Sequence, residues 1–164
     1  MVVLMLHGSV LPGKANGNPL LRDPSCKKER MLSNTGIHES QLAGDIFRER
    51  KIPISEVRFS PFCRTSDTAK IAFRMGTPAE YLSLIEILSP EEASTQIARL
   101  NKIIGSYTGK GNLVLITHKP NISAISFETI GTLQFLVMQP KGGSEYEELG
   151  AVSLNDENAL TLQK

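Results

Sequence analysis

Apolar and polar positions fall into two alternating patterns along the chain. Residues 2–6 (VVLML) are apolar on consecutive positions, which suits a strand buried on both faces of a sheet, and the run stops at His7 and Gly8. From Ser33 onward, Ile37, Leu42, Ala43, Ile46 and Phe47 recur at helical spacing before Arg48, Glu49, Arg50 and Lys51 lead out to Pro53. That spacing predicts a helix of about four turns. Residues 56–60 supply a short strand that Ser60-Pro61 breaks, and residues 65–75 follow as a helix with Ala69, Ala72 and Phe73 on one apolar face. Residues 76–80 connect to residues 81–88, which read as extended. At Ser89-Pro90-Glu91-Glu92 a helix starts: the serine caps, proline fits the first helical position, and Glu92 stands three residues after the cap. Ala93, Ile97, Leu100 and Ile104 carry that helix to Gly105, whose lack of a Cβ suits a stop. Residues 113–117 (LVLIT) form a second buried strand, ending at His118. Residues 121–127 then predict a short helix, and residues 133–138 and 147–154 late strands joined through Gly142-Gly143.

Strands alternating with helices predict an α/β fold, a three-layer sandwich with a mainly parallel central sheet. At 164 residues the chain fits one domain, read as residues 1–164. Residues 8–30 are rich in glycine, proline and charge, and form a long loop of the kind that walls a site. The residues from about Asn155 onward carry no usable signal.

Composition narrows the function classes. A hydrophobic share of 40% and a charged share of 21% are those of an ordinary globular protein. Eighteen Lys and Arg balance 17 Asp and Glu with no long run of one sign, so no nucleic-acid surface is expected and any anion site must be local. The apolar start at residues 1–6 is too short for a membrane span or a signal-peptide core, so no membrane partner is expected. A chain complete as it stands would be cytoplasmic, and a mature form periplasmic or secreted. The sequence is silent on oligomeric state. Cys26 and Cys63 could be bridged or free. The spacing of His7, Cys26, His38, Cys63 and His118 matches no paired zinc-ligand pattern, and no acidic cluster at strand ends suits a divalent ion. Neither metal nor cofactor is expected.

In α/β sheets, ligands bind beyond the carboxyl ends of strands. His7 and His118 lie directly after the two most apolar strands, the first followed by glycine and the second by Lys-Pro. Arg64 falls at a strand-to-helix turn, where a helix N-terminus attracts anions and the planar guanidinium grips phosphate. A phosphate-sized site is the reading that unites them.

Four segments carry a resemblance: LMLHG at residues 4–8, RMLSNTG at 30–36, SPFCRTSDTA at 60–69 and VLITHKPNI at 114–122. They resemble, in order, the strand-end "RHG" signature, the "RxLSxxG" helix start, the "SPxxRxxxTA" segment and the second-histidine segment of the histidine phosphatase (phosphoglycerate mutase-like) superfamily, in its short form. The similarity covers roughly residues 1–150. It implies a nucleophilic His7 carrying a transient phosphohistidine, with Arg64 and His118 holding the phosphoryl oxygens. It also implies a carboxylic acid to protonate the leaving oxygen, here Glu86, with Glu80 and Glu91 as competitors. The implied substrate is a phosphorylated small molecule or protein.

One position departs from the pattern. Leu6 stands where the family signature has arginine, and leucine cannot donate a hydrogen bond. Losing one preorganised donor costs about 100-fold to 1000-fold in rate. Arg30, Lys119 or Arg22 could supply a replacement cation, and Arg30 is counted among the phosphate-binding candidates. The competing reading is a catalytically weakened or silent relative that binds phosphorylated ligands or a partner. A dinucleotide-binding module shares the strand and helix alternation, but no G-x-G-x-x-G follows the first strand.

Overall fold

The computed structural model describes residues 1–154. A six-stranded sheet in the order β3-β2-β4-β1-β5-β6 forms its centre, built from β1 (Val2–Leu6), β2 (Ile54–Phe59), β3 (Thr77–Pro78), β4 (Asn112–Thr117), β5 (Gln134–Gly142) and β6 (Glu145–Ser153). Strands β3, β2, β4 and β1 run parallel, β5 pairs antiparallel with β1, and β6 pairs antiparallel with β5 at the sheet edge. The mainly parallel α/β sandwich expected from the pattern is the fold observed. A single domain reaching residue 164 extends outside the described residues.

β1 is apolar on every position because both its faces are covered. Val2 and Leu4 pack in one cluster with Leu100 and Ile104 of α3 (Pro90–Gly105) and Ile122 of α4 (Lys119–Ser123). Val3 and Met5 pack in the other with Ala43 and Phe47 of α1 (Asn34–Glu49) and Ala69 and Ala72 of α2 (Cys63–Phe73). Helices α1 and α2 thus cover one face and α3 and α4 the other, with strand alternation dividing the side chains between them. The α3 start carries the expected capping box between Ser89 and Glu92.

Residues 81–88 are not extended. Two single 3-10 turns, Glu80–Leu82 and Ile85–Ile87, occupy this stretch. The physical reason lies in where its backbone bonds go. Leu82 O accepts from Thr117 Oγ1 and Asn121 Nδ2, Ser83 O from Asn121 Nδ2 and Gln96 Nε2, and Ile85 N donates to Asn121 Oδ1. Side chains of neighbouring elements satisfy the segment, so it has no need of a strand partner. The parallel edge strand is Thr77–Pro78, just before it, in residues read as a connection. The short helix starts at Lys119 and stops at Ser123, and the late hairpin turns at Gly142 and Gly143, both with positive φ, extending its strands beyond the expected bounds.

The loop of residues 8–30 is tied down throughout. Val10 bridges Leu32, Asn18 bridges Glu29, and Cys26 and Cys63 form a disulfide, which settles the open question of their pairing.

Candidate active site

Residues from three parallel strand ends meet at the carboxyl edge of the sheet. His7 follows β1, Ser60 follows β2 and His118 follows β4. His7 N donates to Thr117 O and Ser60 N to Ile116 O, so the strand ladders continue into the site residues and fix their height. Close approach at His7 depends on two glycines. A Cβ at Gly8 would lie 2.5 Å from Gly36 O, and one at Gly36 would lie 2.0 Å from Ser9 O. These contacts give the HG pair and the LSxxG start of α1 their meaning: backbone packs on backbone there.

Arg64 lies in the first turn of α2 and reaches both histidines. Its Nε donates to His7 Nε2 at 3.2 Å, and its Nη2 lies 3.2 Å from His118 Nδ1 and donates to Pro19 O at 3.0 Å. The ring centroids of His7 and His118 are 5.4 Å apart. The guanidinium lies over the Phe62 ring at 4.6 Å, and Phe62 meets His118 edge-on. Arg64 is 4% exposed, and its Nη1 is buried with no hydrogen-bond partner among the described residues. Such an orphaned donor costs free energy until something accepts from it.

Hydrogen-bond chemistry assigns the tautomers. A guanidinium only donates, so His7 Nε2 and His118 Nδ1 must present lone pairs to it. The remaining protons then lie on His7 Nδ1, which donates to Gly8 O at 2.8 Å, and on His118 Nε2, which donates to Ser60 Oγ at 2.8 Å.

Electrostatics follow from crowding three basic groups out of water. Burial depresses the His7 pKa to about 4, with Arg64 adding to the shift and the Gly8 carbonyl and Glu39 opposing it. Burial, then the charges of Arg64 and His7, push His118 lower still. Arg64 itself is brought down to about 10 by burial, Glu29 opposing and Arg30 reinforcing, and it stays charged at neutral pH. A bound anion would oppose all three shifts, because its charge favours the protonated forms.

Stability should carry the imprint of this burial. His7 keeps its proton off in the folded chain down to about pH 4, whereas the unfolded chain takes one up near 6.5. The unfolded state therefore binds more protons between those values, and stability is lost as pH falls through that window. We expect the thermal midpoint to drop as the pH is lowered from neutral through this window, less steeply in His7→Gln. Equal slopes for the two proteins would exclude a buried neutral His7.

The other sequence candidates are placed differently. Arg30 spends its guanidinium on Gly13 O and Gly17 O, each at 3.0 Å from Nη2, holding the loop, and reaches Arg64 through its charge alone. Arg22 pairs with Glu80 at 3.1 Å. Glu86 is exposed on the second 3-10 turn, Glu91 is exposed in the first turn of α3, and Lys119 is exposed beside His118. Leu6 is half-buried and packs with the Val2 and Leu4 cluster.

Three residues escaped the sequence reading. Buried Glu29 accepts from Cys63 N and Asp23 N, tying the loop to the start of α2, and no pattern in the chain marks it. Glu39 accepts from Ser9 N and Oγ and from Thr132 Oγ1, pinning the segment after His7. Thr68 accepts from Gly8 N and donates to Arg64 O. Its position four residues after Arg64, hence on the same helix face, was the available signal.

No protein-family model matches the chain, and no curated protein does. Solved structures do. The fold is that of the short phosphoglycerate mutase-like histidine phosphatases. The chain is similar to the protein histidine phosphatase SixA solved with tungstate (18% identity, TM-score 0.64), covering 93% of this chain and 96% of that one. It is similar also to the mycobacterial glucosyl-3-phosphoglycerate phosphatase Rv2419c (12% identity, TM-score 0.63, 90% of this chain and 96% of that one). The phosphoglycerate mutase from Thermus thermophilus is a third (15% identity, TM-score 0.61, 93% of this chain and 98% of that one). At these identities the likeness is one of fold.

Proposed function

We propose that this chain is a metal-independent phosphomonoesterase working through a phosphohistidine at His7, on a phosphorylated small molecule or protein. The observation that carries the reading is Arg64, which touches both histidine rings and keeps one further donor, Nη1, buried and unpaired among the described residues. In the reaction, the His7 Nε2 lone pair attacks phosphorus, a P–N bond forms, and the P–O bond to the leaving group breaks. Water then attacks the phosphohistidine, gives up a proton and releases inorganic phosphate, restoring His7. The Gly8 carbonyl supports the positive ring by accepting from Nδ1, and Arg64 and His118 take the phosphoryl oxygens.

No carboxylate among the described residues hydrogen-bonds to His7, Arg64 or His118. That arrangement favours leaving groups of low basicity, such as a phenolate, or an imidazole already protonated on its other ring nitrogen, where a P–N bond breaks in place of P–O, over an alkoxide that needs a strong proton donor. Glu86 remains our proposed donor if the turn that carries it moves on substrate binding.

A second reading, a silent phosphoryl-binding relative, is favoured by Leu6, whose side chain packs with the core cluster in the place of an arginine. One experiment separates them: the wild type and Leu6→Arg are incubated with a radiolabelled aryl phosphate, without metal, and quenched. Acid-labile, alkali-stable label on the wild type, with turnover, supports the enzyme. Label and turnover only in Leu6→Arg support the silent reading, and none in either removes the phosphohistidine mechanism.

A further inference from the structure

Ser60 has no role in the mechanism above, yet it is wholly buried and in contact with one of its two histidines. Its Oγ lies 2.8 Å from His118 Nε2, and His118 itself is 1% exposed. Arg64 Nη2, on the opposite side of the ring, can only donate, so the Nδ1 edge must accept. The neutral ring then has one place for its proton, Nε2, and Ser60 Oγ is its acceptor. We propose that Ser60 is a positioning residue, which receives the Nε2 proton of His118 in a hydrogen bond and so keeps the Nδ1 edge of that ring turned towards Arg64 and the phosphoryl group.

The inference rests on the phosphoryl-transfer reading for its function, but the tautomer itself does not. When a phosphate draws Arg64 away, the acidic P–OH proton of that phosphate passes to His118 Nδ1, which then donates in a hydrogen bond to the phosphoryl oxygen. The resulting imidazolium has two N–H groups, and the inner one needs an acceptor because water does not reach it. Ser60 Oγ is that acceptor. Burial and two of the groups facing His118 oppose a charge on it, basic Arg64 from α2 and basic His7 from the end of β1, while Phe62 meets the ring edge-on and exposed Lys119 follows it in the chain. With the hydroxyl gone, the charged ring would keep a buried unpaired N–H, and so would the neutral ring, whose Nδ1 edge Arg64 still requires as an acceptor.

The test uses the whole chain and two readouts. Imidazole nitrogen and carbon NMR shifts report the tautomer of His118 in the wild type, and we expect the Nε2–H form. An Nδ1–H ring in the wild type would overturn the proposal, whatever the variant does. In Ser60→Ala we expect the same tautomer, which Arg64 imposes, but about tenfold weaker binding of inorganic phosphate, as for loss of a hydrogen bond to a charged group. We also expect the pH profile of phosphate binding to shift, because the charged ring is the form that loses its acceptor. With a chromogenic aryl phosphate the loss should fall on kcat/KM by a similar factor. A Ser60→Ala protein with phosphate affinity and pH profile indistinguishable from the wild type would also overturn it. A wild type that binds phosphate with the expected tautomer and turns nothing over would overturn the phosphatase reading while leaving the positioning role intact.

Discussion

His7→Ala is expected to lose turnover of aryl phosphates by at least about a thousandfold, the scale at which a covalent nucleophile fails, while still binding inorganic phosphate. The second half of that expectation is the informative one. Arg64 and His118 do not depend on the His7 ring for support: the guanidinium keeps Pro19 O and its place over Phe62, and His118 keeps Ser60. Removing the imidazole also removes an acceptor from Arg64 Nε, leaving a second buried donor for an anion to satisfy. Phosphate affinity within about tenfold of the wild type, with turnover at background, is therefore the outcome that fits a covalent role. Loss of both together would make His7 a structural support of the site. Retained turnover would place the nucleophile elsewhere.

The largest expected effect on stability comes from the bridge between the loop and α2. Cys26 and Cys63 are 37 residues apart, and a cross-link of that span restrains the unfolded chain by about 4 kcal/mol in the loop-entropy account. Cys26→Ser with Cys63→Ser should lower the thermal midpoint by roughly 8 to 15 °C, the range for a chain of this length. The local bonds offset part of this, since Glu29 still joins Cys63 N to Asp23 N and Asn18 still bridges Glu29. A change below about 2 °C would mean that those bonds, not the bridge, hold the loop. Scanning calorimetry of the two proteins, each with and without reductant, provides the measurement.

Much of this was legible in the chain because single residues carried the signal. The VVLML and LVLIT runs required strands covered on both faces, and each delivers a histidine to the same sheet edge. The Ser89-Pro90-Glu91-Glu92 start fixed one helix end to the residue. Arg64 was readable from its strand-to-helix turn, and the resemblance ties it to His7 and His118, the two rings its guanidinium contacts. Residues 81–88 were misread because their backbone partners are the side chains of Thr117, Asn121 and Gln96, which lie elsewhere along the chain and leave no periodicity. Glu29 was invisible for a similar reason: beside Lys27, Lys28 and Arg30 it reads as one charge in a solvated loop, and only the folded path buries it against α2. Arg30 shows the reverse. Its sequence position offers a cation to the phosphate, and in the fold its Nε and Nη2 donate to the Gly13 and Gly17 carbonyls.

Arg64 Nη1, unpaired among the described residues, matters beyond the site. A fold that confines a desolvated cation against two neutral histidines is under tension at that point, and an anion that relieves the tension binds the folded chain and not the unfolded one. By mass action such a ligand at about a hundred times its dissociation constant adds about 2.7 kcal/mol to the folding equilibrium. With phosphate as that anion, the folding equilibrium would follow the phosphate concentration around the chain, which would resist unfolding and proteolysis best where phosphate is most abundant.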